Sequence, residues 1–169
     1  MHTHAPTSLR RMITLVAGIV LYAAPGAAQA PAKLKWGPAP PVFRPGARMA
    51  VVSGDPGKPG QYVVQLALPS RYRIAPHFHP TDENVLVKSG MISLGMGDKF
   101  DEKALKPMKA GEKGTVGANM HHYAMATGRT VVEVSGMGPF VLTYVDPADD
   151  PSKKEKKEKK DKKDKKDKM

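Results

Sequence analysis

Pro76-His77-Phe78-His79-Pro80-Thr81-Asp82-Glu83, with Gly90 six residues further on, is the stretch that decides how this chain folds. His77 and His79 are spaced by two, and on a strand residues i and i+2 share one face. Both imidazoles can therefore point at one ion from a single strand. Pro80-Thr81-Asp82 can turn the chain, and Glu83 opens the next apolar run, so a carboxylate can reach the same point. About forty residues downstream lies the second histidine pair, in Gly117-Ala118-Asn119-Met120-His121-His122. One lone histidine is usually a satisfied structural side chain. Here His77, His79, His121 and His122 are all the histidines outside the first few residues, where His2 and His4 lie. Three imidazoles and one carboxylate, with His121 or His122 closing the set, suit a divalent transition metal with open positions. Neutral imidazole dominates near neutral pH, so no unusual pKa is required.

Outward from this stretch, short apolar runs alternate with turn residues. Met49–Val52 stops at a Gly/Pro/Asp loop over 54–60, and Tyr62–Leu68 stops at Pro69. Asn84–Lys88 and Met91–Met96 flank Ser89-Gly90, which has the composition of a hairpin turn. Residues 98–106 are charged and have room for one helical turn. Lys113–Gly117, His122–Ala126, Thr130–Ser135 and Phe140–Val145 supply further strands. About eight short strands with almost no helix predict an all-β antiparallel barrel or double-sheet jelly roll.

The two histidine stretches together resemble the paired motifs of the cupin superfamily, in particular its small, secreted, single-domain bacterial members. The pattern G(X)5HXH(X)3-4E(X)6G runs from Arg71, which replaces its first glycine, through His77, His79 and Glu83 to Gly90. The pattern G(X)5PXG(X)2H(X)3N starts at Gly111 and sets its histidine on His122. Gly117 stands for its proline, Asn119 for its second glycine and Ala126 for its asparagine. Asn tolerates left-handed backbone, so the change at Asn119 is mild. The resemblance covers roughly residues 45–150. It implies a single cupin β-barrel, the double-stranded β-helix or jelly roll. It further implies one divalent metal ion (Fe, Mn, Ni, Cu or Zn) held by His77, His79, Glu83 and His122. His121, on the opposite face of the same strand, is expected at the rim.

The rest of the 169 residues divides by composition. Residues 1–28 form an export signal: Arg10 and Arg11, then an apolar run from Ile13 to Ala24 too short to span a bilayer comfortably, then Gly26-x-Ala28 as a cleavage site. An uncleaved membrane anchor is the alternative. Residues 29–46, with five prolines from Pro31 to Pro45, predict an extended arm, residues 47–150 the barrel, and residues 151–169 a disordered Lys/Asp/Glu-rich tail. The formal charge of +11 sits mainly at the ends. Residues 152–169 hold 11 Lys against 5 acidic residues, and residues 31–151 hold 14 basic against 11 acidic. The barrel is nearly balanced, which argues against a specific nucleic-acid partner; the tail is expected to contact anionic surfaces weakly. With no cysteine, disulfide scaffolds, thiolate zinc sites and Cys nucleophiles are excluded.

These features predict a periplasmic or secreted protein with no membrane span after signal cleavage. Fold does not fix function within the superfamily. The resemblance leaves two readings: a metal-dependent oxygenase (dioxygenase) or decarboxylase-type enzyme acting on a small oxygen-rich molecule, with Glu83 also serving as base, or a non-catalytic metal or small-ligand binding and sensing module. Cupins often dimerise through a sheet edge, and the Pro-rich arm offers a segment that could cross to the second copy of a homodimer.

Overall fold

Burial alternates residue by residue along Gly60–Leu68, with Tyr62, Val64, Leu66 and Leu68 inside and their neighbours half-exposed. That period of two belongs to a strand with one face on a core. The computed structural model describes residues 33–153. The export signal expected at 1–28 and most of the charged tail lie outside those residues. Among the described residues eleven strands are formed: β1 (Gly37–Pro38), β2 (Arg48–Ser53), β3 (Gly60–Leu68), β4 (Arg73–Phe78), β5 (Glu83–Ser89), β6 (Met91–Met96), β7 (Lys106–Lys109), β8 (Lys113–Val116), β9 (His122–Ala126), β10 (Thr130–Gly138) and β11 (Thr143–Tyr144). They make two antiparallel sheets, in the order β1-β2-β3-β10-β5-β8 and β11-β4-β9-β6-β7. Between the sheets lie Val64, Leu66, Leu68, Ile74, Val85, Val87, Ile92, Val132 and Val134. Each such side chain contributes about 1.5–3 kcal/mol of hydrophobic stabilisation when fully buried. The all-β expectation holds, and the helical turn expected in 98–106 is a single 3-10 turn over Glu102–Ala104, capped by Asp101.

Three local expectations change. Ser89-Gly90 is not a hairpin turn, because β5 pairs with β10 and β8 in one sheet while β6 pairs with β9 and β7 in the other. The chain turns a corner there and crosses between sheets. A corner needs the same left-handed glycine as a tight turn (Gly90 has φ 79), and this one sits hard against Thr130, whose Oγ1 would lie 2.8 Å from an added Cβ. The same hydroxyl accepts from Met91 N and donates to Met91 O, stitching the corner to β10.

The described part of the Pro-rich arm does not project away. Phe43 is buried in the core and stacks on Phe140, with ring centroids 6.1 Å apart. The hydroxyls of Tyr72 and Tyr144 donate to the carbonyls of Arg44 and Val42. Of the run Phe140–Val145, only Thr143 and Tyr144 pair as a strand; residues 139–142 cross the barrel instead, with Phe140 and Leu142 packed on the core.

Both motif positions where a glycine is replaced adopt left-handed backbone: Arg71 at φ 61 and Asn119 at φ 59 are, among the described residues, the non-glycine residues with positive φ. The turns survive without the glycines at a local conformational cost.

Candidate metal centre

His77 stands on β4 and His122 on β9, directly opposite one another in the register. His79 follows the end of β4, and Glu83 is the first residue of β5 in the other sheet. A bulge between Ile74 and His77 breaks the β4–β9 register, of the kind that re-aims side chains at functional sites. The three imidazoles are buried and form a tight triad, His77 to His122 at 4.1 Å between ring centroids, His77 to His79 at 5.1 Å and His79 to His122 at 5.4 Å. One ligand atom from each lies within 4.8 Å of the others, so the triad can hold a metal ion.

Each ring is fixed by a backbone carbonyl. The Nδ1 of His77 meets Ala75 O at 2.7 Å, that of His79 meets Val141 O at 2.6 Å, and that of His122 meets Met120 O at 3.0 Å. A carbonyl accepts only, so each Nδ1 carries the proton and donates it. Every Nε2 is thereby left with its lone pair toward the centre, the arrangement metal-ligating histidines need.

Glu83 closes the set. Its Oε1 lies 3.4 Å from His79 Nε2 and its Oε2 3.3 Å from His122 Nε2. Two acceptors facing each other at that distance need a cation between them. The Nε2 of His79 is buried without any hydrogen-bond partner, and leaving such an atom unsatisfied is costly. Electrostatics point the same way. Burial, then the neighbouring His122 and His79, push the His77 imidazole down to about 3, so it stays neutral with its lone pair free. Burial pushes the Glu83 carboxyl up, but the surrounding imidazoles of His122, His79 and His77 outweigh it and hold it below the usual carboxylate range. Three imidazoles converging through Nε2 beside a carboxylate are a donor set that a divalent transition metal fits.

His121, the residue just before β9, points away from the centre. It is 36% exposed, bonded through Nδ1 to Asp98 Oδ1 at 2.6 Å, and stacked on Phe78 with centroids 5.1 Å apart. Phe78 and His121 are the outward neighbours of His77 and His122. Sequence reasoning missed the carbonyl anchors, which come from residues with no distinguishing side chain. It also missed the cover of the centre. Behind His77, Glu83 and His122 lies a cavity of only about 30 Å³, lined by Phe43, Leu94, Phe140 and Leu142 among others.

No sequence-family model matches the chain, and no curated protein matches it. Solved structures do. The polyketide cyclase RemF from Streptomyces resistomycificus is 16% identical with a TM-score of 0.59, over 73% of this chain and 87% of that one. A protein from Methylibium petroleiphilum, proposed to be an acetylacetone dioxygenase, is 20% identical with a TM-score of 0.53, over 68% and 77%. An RmlC-like cupin from Shewanella frigidimarina is 14% identical with a TM-score of 0.46, over 54% and 76%. Two antiparallel sheets closed around a His-x-His…Glu…His cluster, together with the first two of these matches, show a double-sheet jelly-roll fold.

Proposed function

We propose that this is an exported mononuclear metal protein, in which His77, His79, His122 and Glu83 hold one divalent transition metal ion. We further propose that it acts as an oxygenase- or decarboxylase-type enzyme on a small oxygen-rich organic substrate. The observation that carries the reading is the convergence of three carbonyl-anchored imidazoles and a carboxylate on one point, with the Nε2 of His79 buried and unpartnered. A bound divalent ion supplies Lewis-acid polarisation of a coordinated oxygen. The chain's own part is to hold the imidazoles in one tautomer, to keep water from the inner side with Phe43, Phe140 and Leu142, and to offer Glu83 as the carboxylate within reach of a substrate proton. Enzymes of the kind named for the two similar structures with the higher TM-scores share the fold, which makes turnover a reasonable expectation by analogy.

The non-catalytic binding module is the second reading, favoured by the inner cavity of about 30 Å³. That space holds about one water and no organic substrate. Dioxygen uptake and product analysis with Fe-, Mn-, Cu- or Ni-loaded protein, screened on flavonols, oxalate and other enolic or dicarboxylate compounds, separates the two. Turnover that Glu83→Gln abolishes while metal stays bound supports the enzyme. Tight metal binding with no turnover across the screen supports the binding module. Export is checked by intact-mass analysis of the periplasmic fraction, where cleavage after Ala28 leaves Gln29 as the first residue.

A further inference from the structure

The two ends of the barrel differ in chemistry. The end away from the histidines is closed by polar connections such as Ser70-Arg71, Gly111-Glu112 and Gly128-Arg129. At the histidine end, β4 stops at Phe78, β6 at Met96 and β10 at Gly138, while β5 starts at Glu83, β9 at His122 and β11 at Thr143. Large apolar side chains are exposed on segments at this end, Met96 (50%), Met120 (51%) and Val141 (41%), with Val51 and Val52 toward the end of β2, whereas Met137 stands on the outer face of β10 beside Gln61 and Ser135. Single exposed apolar residues mean little, but a group gathered at one opening marks a binding surface.

Met96 is the best placed. It continues the inward-facing row Ile92, Leu94, Met96 of β6, in which Ile92 and Leu94 line the inner cavity, and it stands directly opposite His122. Met120 lies two residues before His122, and its carbonyl accepts the Nδ1 proton of that ring. Of the four candidate ligands, Glu83 is the one whose side chain keeps some exposure, 13%. The space behind it, about 30 Å³, is too small for the body of an organic ligand. A ligand reaching the centre must therefore leave its body at the mouth, against the methionines, whose thioethers adapt to varied apolar shapes.

We propose that Met96 and Met120, flanked by Val141, hold the apolar body of a small amphipathic ligand: an alkyl, acyl or aryl group bearing a chelating pair of oxygens that reaches the His77–His79–His122–Glu83 centre. This rests on the metal reading above and narrows its substrate class. The test uses the zinc-loaded mature chain and two probes with one chelating head, acetohydroxamate and octanohydroxamate, titrated by calorimetry. Burying the added methylenes wholly or in part tightens binding roughly two- to fourfold each, so octanohydroxamate should bind at least about fiftyfold more tightly. The double variant Met96→Ser/Met120→Ser should keep its affinity for acetohydroxamate and lose most of the chain-length preference. Met96→Leu/Met120→Leu should restore it. Both pairs are exposed, and an unchanged melting temperature verifies their folding. Equal affinity for the two probes in the wild-type protein, or a preference that survives the serine pair, overturns the proposal while leaving the metal reading intact. Failure of the chain to retain zinc overturns both, and failure of the zinc-loaded chain to bind either probe overturns the proposal alone. A dimer that the serine pair dissociates in sedimentation, without any chain-length preference, would mean that a second copy covers the collar, and would also overturn it.

Discussion

Lowering the pH of the metal-free protein should destabilise it through His77. This imidazole is buried, donates through Nδ1 to the Ala75 carbonyl at 2.7 Å, and lies against His122 and His79. Burial and those two neighbours push it down from 6.5 to about 3, against the smaller opposing pull of the Ala75 carbonyl and Glu83. A histidine depressed in the folded state takes up its proton only on unfolding, so the unfolded chain binds more protons and stability rises with pH. The contribution is complete above about 6.5 and is lost as pH falls toward about 3. Its slope is set by one proton, about 1.4 kcal/mol per pH unit. Between about pH 7 and about pH 5 the wild-type protein should therefore lose about 2 kcal/mol more than His77→Gln, which carries no titrating group there. Urea denaturation of both proteins in excess chelator measures the difference, and the double difference removes the contributions of other groups. Parallel pH dependences in the two proteins would show that His77 titrates near its ordinary value, which would refute its placement in a dry, imidazole-lined site.

Metal should stabilise the chain without being required for its fold, because the core between the sheets is independent of the four ligands. At a thousandfold excess over Kd the gain is about 4 kcal/mol, so chelation should lower the melting temperature while far-ultraviolet circular dichroism keeps its β signature; an unchanged melting temperature would count against tight binding. Asn119→Val should cost about 1–2 kcal/mol, since a β-branched residue resists φ 59, and should weaken metal binding because Asn119 N donates to His79 O at 2.7 Å. Asn119→Gly should be nearly neutral by both measures, and equal effects of Val and Gly would remove backbone conformation as the cause.

Much of the site was legible because its spacing is local. His77-x-His79-x3-Glu83 spans one strand end and one turn, and the alternation of a strand separates His121 from His122 without knowledge of the partner strand. The fold class was legible for the same reason, from short apolar runs and turn residues. What escaped depends on long-range pairing. Gly90 meets the needs of a hairpin and of a corner equally well, and only the pairing of β5 with β10 and of β6 with β9 decides between them. Strand β7, Lys-Pro-Met-Lys, carries no strand signal of its own and owes its form to β6. Proline content marked the arm as extended but said nothing of Phe43, whose burial depends on Phe140, nearly a hundred residues away. The carbonyls that fix the imidazoles are backbone groups, invisible to any motif.

Elemental analysis of four purified variants beside the wild-type protein tests the central claim most directly. His77→Ala, His79→Ala and His122→Ala should each lose most of the bound divalent metal, because each removes one Nε2 from the converging set. His121→Ala should keep a near-full complement, because its ring faces Asp98 and Phe78 on the outside. Full metal content in His122→Ala, or loss in His121→Ala equal to that in the three others, would contradict the account.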